Sequence, residues 1–183
     1  MARAPLALLL LVVVLAGASL AGGLPAARAT APRADYVPFR IDQTRIGRAP
    51  LGMTVAFYRS AYGSRGVHVF KSGGFDRLIL DDWHVEVLFP HGGKTAVGLI
   101  TWAARVETAL GVGPCSRTSK LLAAYGPKLE RVAVGKTLTA YRLGRLVFVA
   151  GSDGFVHSVG LLLPGIPVTP VLTAPACGAP SVV

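Results

Sequence analysis

The sequence predicts an α+β fold of two tandem repeats, each a short helix followed by an antiparallel meander, with the helices packed on one face of the sheet. Three observations predict it. Pro50 to Gly63 and Gly113 to Gly126 both read as a turn, a short helix ending in Ala-Tyr and a glycine stop. Val85 to Ile100 and Val147 to Leu162 both read as a pair of strands around a glycine-containing turn. The helices are offset by 63 residues and the hairpins by 62, so one supersecondary unit is written twice.

The 183-residue chain opens on a targeting pattern. Arg3 gives a positive start, Leu6 to Leu20 is apolar and uncharged, and Ala27-Arg28-Ala29 offers a small-x-small cleavage site, so residues 1–29 are expected to be a signal peptide. The apolar run is short for a membrane span, which needs roughly 20 residues. Beyond it no stretch approaches that length, so a soluble, secreted or extracytoplasmic protein with no membrane span after cleavage is expected. Loss of Arg3 and Arg28 with the leader lowers the net charge from +10 to +8. Charged residues make up only 15% of the chain and the arginines are dispersed, so this is a shortage of acids rather than a basic platform. Weak attraction to an anionic envelope component fits that balance, and nucleic-acid binding does not.

In chain order, residues 30–46 read as an extended N-terminal arm, whose part from Tyr36 to Ile46, with Pro38 among aromatic and β-branched residues, suggests an edge strand or an extended arm. Repeat 1 spans 47–103. Thr54 is a candidate N-cap, Val55, Tyr58 and Tyr62 share one helical face, and Gly63 stops the helix. Strands follow on either side of Ser72-Gly73-Gly74, a further turn falls at Asp81-Asp82, and two more strands, 83–89 and 95–102, flank Pro90 to Gly93. Residues 103–110 read as a connector. Repeat 2 spans 110–165, with Ser116 or Thr118 as helix cap and Leu121, Leu122 and Tyr125 on the inner face. Gly126-Pro127 ends the helix, and strands are expected near 129–134, 137–143, 146–150 and 155–163, with turns at Gly135-Lys136, Gly144-Arg145 and Ser152 to Gly154. The tail, 166–183, is proline-rich, so it is expected to run extended over the surface with no helix. Cys115 and Cys177 are expected to pair in an oxidising compartment, tying the tail to the turn that opens the second helix. A loop of about 62 residues makes that bridge worth on the order of 4 kcal/mol.

Alternation divides the meanders into two faces. Val85, Val87, Val97 and Leu99, with Val147, Val149, Val159 and Leu161, are expected toward the helices. The other face would carry His84, Glu86, Leu88, Ile100, Trp102, Leu146, Phe148 and Leu162. It is more apolar than a solvated sheet needs, so either the tail or the other repeat covers part of it, or it binds a partner. On the second reading His84, Glu86, Ile100, Trp102, Leu146, Phe148 and Leu162 form the partner-binding set.

Leu51-Gly52-Met53-Thr54, a short helix ending in Tyr62-Gly63 and a meander ending in Val-Gly-Leu resemble a bacterial repeat. It is seen in secreted domains similar to the β-lactamase inhibitory protein and in small outer-membrane assembly lipoproteins. The resemblance covers roughly residues 45–165. It implies tandem α/β units whose sheets form a concave surface for gripping another protein, and it implies no catalysis. The chain departs from the inhibitor type in having two cysteines in all and few acids, so β-lactamase inhibition is not expected.

Cys115, with His91 earlier in the chain, superficially resembles the cysteine of exported L,D-transpeptidases, but the Ser-His-Gly-Cys neighbourhood is absent. Cys115 also aligns with Gly52, a turn position. His68, His84, His91 and His157 show no metal-ligand spacing, and the glycine-rich turns open hairpins rather than helices, so they are not phosphate cradles. Neither a catalytic residue nor a cofactor or metal site is expected. The leading expectation is a secreted, non-enzymatic protein that binds a protein or cell-envelope partner through the open sheet face. A Cys115-dependent enzyme acting on cell-wall peptides, and a structural envelope protein without a specific ligand, are the alternatives.

Overall fold

The computed structural model describes residues 40–62, 67–72, 74–80, 84–134, 136–173 and 177. The expected leader, the arm up to residue 39, the Gly63 stop, Gly73, the Asp81-Asp82 turn, Trp83, Gly135 and the chain end 178–183 lie outside the described residues. Within them the protein is α+β, mostly strand, with two sheets and few helices.

Eight strands build the main sheet: β4 (Val67–Ser72), β5 (Phe75–Leu80), β6 (Val85–Pro90), β7 (Gly98–Thr101), β9 (Glu130–Ala133), β10 (Leu138–Leu143), β11 (Leu146–Gly151) and β12 (Val156–Leu162). Their order is β4-β5-β6-β7-β12-β11-β10-β9, antiparallel at every step. Each four-strand run is a meander whose neighbours in sequence are neighbours in space. Among the described residues the ladder that joins the two runs is β7 with β12, where Thr101, Ile100 and Leu99 face Val159, Gly160 and Leu161.

A helix precedes each meander: α1 (Val55–Tyr62) and α2 (Thr118–Tyr125). Thr54 caps α1 as expected, its Oγ1 accepting from the Phe57 N–H at 3.2 Å. Neither candidate caps α2. Its N-cap is Arg117, without a side-chain bond, while the Ser116 hydroxyl accepts from the Gly113 N–H at 3.1 Å. Of the expected inner residues, Leu121 is buried and Tyr125 half-buried, whereas Leu122 is 44% exposed.

The segment 40–46, expected as an edge strand or an extended arm, forms a hairpin. β1 (Arg40–Ile41), β2 (Arg45–Ile46) and β3 (Ala49–Pro50) join β8 (Glu107–Thr108) in a small sheet ordered β3-β2-β1-β8. Asp42 closes the turn: its Oδ1 accepts from the Thr44 N–H, the Thr44 hydroxyl and the Arg45 N–H at 2.7, 2.6 and 3.1 Å. Ile41 and Ile46 are buried, which gives this short hairpin an apolar anchor.

Apolar packing falls into two clusters. One holds Leu78, Leu80, Val85, Val87, Phe89, Leu99, Leu146, Phe148, Val159 and Leu161 together with Tyr58, Leu121, Ile41 and Ile46. The other holds Leu88, Ile100, Ala140, Val147, Val149 and Leu162 with Val171, and Ile166, Val168 and Leu172 pack against it. The face assignment therefore needs correcting. Val97, Val147 and Val149 lie with the tail, and Leu146 and Phe148 lie with the helices. The physical cause is phase. Val85 and Val87 of β6 share a cluster with Leu146 and Phe148 of β11, a spacing of 61 rather than 62, and a one-residue error in register sends every side chain to the other side of a sheet.

The tail also departs from the expectation of an extended strap. Residues Thr169–Thr173 form a 3-10 turn with Pro170 near its start, where a missing N–H costs nothing. Cys115 and Cys177 are joined, with their Cα atoms 5.2 Å apart. Cys115 has φ +66° and Gly52 has φ +86°, so both occupy left-handed turn positions.

Candidate functional site

The seven residues expected to form a partner surface do not share one open face. Glu86, Ile100, Leu146, Phe148 and Leu162 are all at most 5% exposed. Ile100 and Leu162 are covered on the tail side, and Leu146 and Phe148 on the helix side, where Phe148 stacks on Tyr125 at 5.9 Å between ring centroids. Glu86 lies on β6 beside Arg77 of β5, and Arg77 Nη1 donates to its Oε1 at 2.6 Å. Burial pushes the Glu86 carboxyl above its ordinary value, and the guanidinium opposes that push without cancelling it. This pair is too enclosed to meet a macromolecule.

His84 and Trp102 behave differently. Val85 and Thr101 are the last paired residues of β6 and β7, so residues 84 and 102 come together just beyond the end of the hairpin. Their rings lie edge to face, 6.5 Å between centroids, and both residues are part-exposed. His84 has φ +48°, a conformation that side-chain-bearing residues adopt uncommonly, and it turns the chain into β6. Together with Ala103, Ala104 and Arg105 they line a recess of ≈ 310 Å³ that is mostly apolar, with the Arg105 cation among its lining residues. The sequence reading placed 103–105 in a plain connector. The signal that could have found them is the β6–β7 register, which sets the residue after Thr101 beside the residue before Val85.

The opposite side of the sheet is closed by the chain's own tail. Val171 is fully buried against Gly160, where a Cβ would sit 2.7 Å from Val171 Cγ2. Only a glycine leaves room for it there. The Ser158 hydroxyl donates to the Val171 carbonyl at 2.7 Å, and Arg142 Nη2 donates to the Ile166 carbonyl at 3.4 Å. The bridge at Cys177 then holds the far end of the segment.

The remaining polar groups give little chemistry. In the disulfide, Cys115 carries no thiolate, so a nucleophilic role requires the bridge to open first. His91 Nδ1 pairs with Asp76 at 2.8 Å and His157 Nε2 with Asp153 at 2.9 Å, two separate pairs that each join a turn residue to a strand residue. The bond from His157, helped by the Phe155 N–H, holds the Asp153 carboxyl below its ordinary value. Among the described residues no cluster of three His, Cys, Asp or Glu side chains could hold a metal, and no helix is long and apolar enough to cross a membrane.

Comparison of the chain with models of protein families, with curated proteins and with solved structures gave no match.

Proposed function

We propose that this is an exported, non-catalytic binding module that takes a protein partner of the cell envelope at the recess between His84, Trp102 and Arg105. One observation carries the reading. Trp102 is a large aromatic side chain left part-exposed just beyond two well-buried strands, beside a histidine in a rarely populated backbone conformation. Half-buried aromatics with a polar neighbour are the usual anchors of protein contacts, because they bring much area at low entropy cost. The disulfide fits an oxidising compartment, and the acid-poor composition fits an anionic surface.

We further infer that the two halves are copies of one unit, which is the arrangement that the resembled repeat implies. Support comes from matched contacts. The bridge Thr54↔Thr95 has its counterpart in Arg117↔Phe155, and the bond from Ala96 N to Met53 O at 2.8 Å has its counterpart from Val156 N to Ser116 O at 2.8 Å. Ile100 and Gly160, which correspond under the offset of 60 that relates Thr95 to Phe155 and Ala96 to Val156, face each other across the central ladder. Such a pairing is what an approximate two-fold relation at the join would produce.

The test is capture from an envelope fraction by the mature protein, compared with its Trp102→Ala and His84→Ala variants. Neither residue is in either apolar cluster, so both variants should fold, each losing the one ring contact, about 0.5–1.5 kcal/mol. A partner retained undiminished by both well-folded variants sinks the proposed site. Capture of nothing by the parent protein sinks the binding function.

A further inference from the structure

The tail-covered side of the sheet has the form of a peptide groove that is already filled. Its floor is Ile100, Val147, Val149 and Leu162, its deepest point is the pit over Gly160, and its polar contacts are Ser158 and Arg142. The occupant, 164–172, is attached at one end through Pro164-Gly165, with Gly165 at φ +83°, and at the other end through Cys177. While the bridge is closed, both ends are fixed to the same chain. When it is open, the turn at Pro164-Gly165 alone decides which copy's groove the segment fills.

We propose that the groove accepts residues 164–172 of a second copy of this chain, and that the Cys115–Cys177 bridge is the latch that keeps the exchange from occurring. The partner is fixed by fit: this segment has the β-branched side chain for the pit and the carbonyls for Ser158 and Arg142, and an identical chain supplies the same segment. Exchange of one element between identical chains makes no new interface chemistry, which is why it is a low-cost route to dimers. The exchanged form would set Cys177 of each chain beside Cys115 of the other.

The redox steps balance with external thiols. An added dithiol opens the bridge, gives it two electrons and two protons, and closes to its own cyclic disulfide. On reclosure the two cysteines lose two protons and two electrons to glutathione disulfide, which leaves as two glutathione thiols.

A short flexible tether holds its segment at an effective concentration on the order of millimolar. The full-length mature protein is therefore reduced, freed of dithiol and reoxidised at concentrations roughly a hundredfold below and near that value. The expected result is a covalent dimer in the concentrated sample whose only disulfide peptides join 115 to 177, at least tenfold less abundant in the dilute one. A synthetic peptide of residues 164–173, added in excess during reoxidation, should suppress it, and the same peptide with Val171→Ala should suppress it less. Monomer at both concentrations overturns the proposal. So does a mixture rich in 115–115 and 177–177 linkages, or equal suppression by the two peptides.

Discussion

Gly160 and Val171 offer the sharpest check on how the tail is seated. Gly160 has an ordinary extended backbone, so Gly160→Ala meets no conformational obstacle, and an alanine in a strand is worth about 0.5–1 kcal/mol over glycine. Its Cβ, however, would sit 2.7 Å from one methyl of Val171 and 3.0 Å from the other. Overpacking of this kind costs about 1–3 kcal/mol, which leaves a net loss of up to about 2.5 kcal/mol. Val171→Ala removes two methyls from a fully buried site, about 0.8 kcal/mol each in transfer energy plus a cavity term, or about 2 kcal/mol in all. In the double variant the valine methyls that obstruct the Cβ introduced by Gly160→Ala are gone, and that Cβ fills part of the space they leave. The double should cost no more than Val171→Ala alone, a coupling of about 1–3 kcal/mol. The assay is urea unfolding with the disulfide intact, with midpoints compared at constant slope. Costs that add to within about 0.5 kcal/mol would refute the contact, because sites that do not touch are additive to that degree.

Arg77→Met strands the buried Glu86 carboxylate and should cost about 3–5 kcal/mol, whereas Arg77→Met with Glu86→Leu should recover most of it; chemical denaturation of the three proteins decides this. The pH dependence follows from the raised Glu86 carboxyl: the folded protein keeps that proton at a pH where the unfolded chain has released it. Its contribution is complete below the unfolded value and fades as pH rises through the folded one. Glu86→Gln should remove that slope from a plot of urea midpoint against pH, and an unchanged slope would rule the assignment out. At the bridge, Cys177→Ser should cost on the order of 4 kcal/mol. Cys115→Gly should be milder than Cys115→Ser by about 1 kcal/mol, because φ +66° suits glycine; equal melting shifts would contradict this.

Much of the element order was legible because glycine turns punctuate it. Gly74, Gly144-Arg145 and Ser152 to Gly154 each fall between strands where expected. The faces were not legible in β11, because Leu146 to Ala150 are apolar at every position and offer no alternation to set the phase. Phase there comes from pairing with β10 and β12, which is tertiary information. The small sheet was missed because two-residue strands leave no periodic trace, and β1 finds its parallel partner β8 far along the chain. The tail's role was half-visible. Its prolines signalled surface chain, but the residue that matters, Val171, is identified only by the hole opposite it at Gly160. Of the expected partner set, His84 and Trp102 remain accessible because they stand beyond the last ladder pair, whereas the others sit within strands covered on both sides.

The single ladder between β7 and β12 also bears on how the molecule forms. Every other ladder in the main sheet joins strands consecutive in the chain and closes short loops, while this one brings together residues roughly sixty positions apart. Loop closure must precede the reward of such distant contacts, so the rate of folding is governed by when Leu99 to Thr101 find Val159 to Leu161. Substitutions along that seam should slow refolding, while those in the outer hairpins should chiefly hasten unfolding.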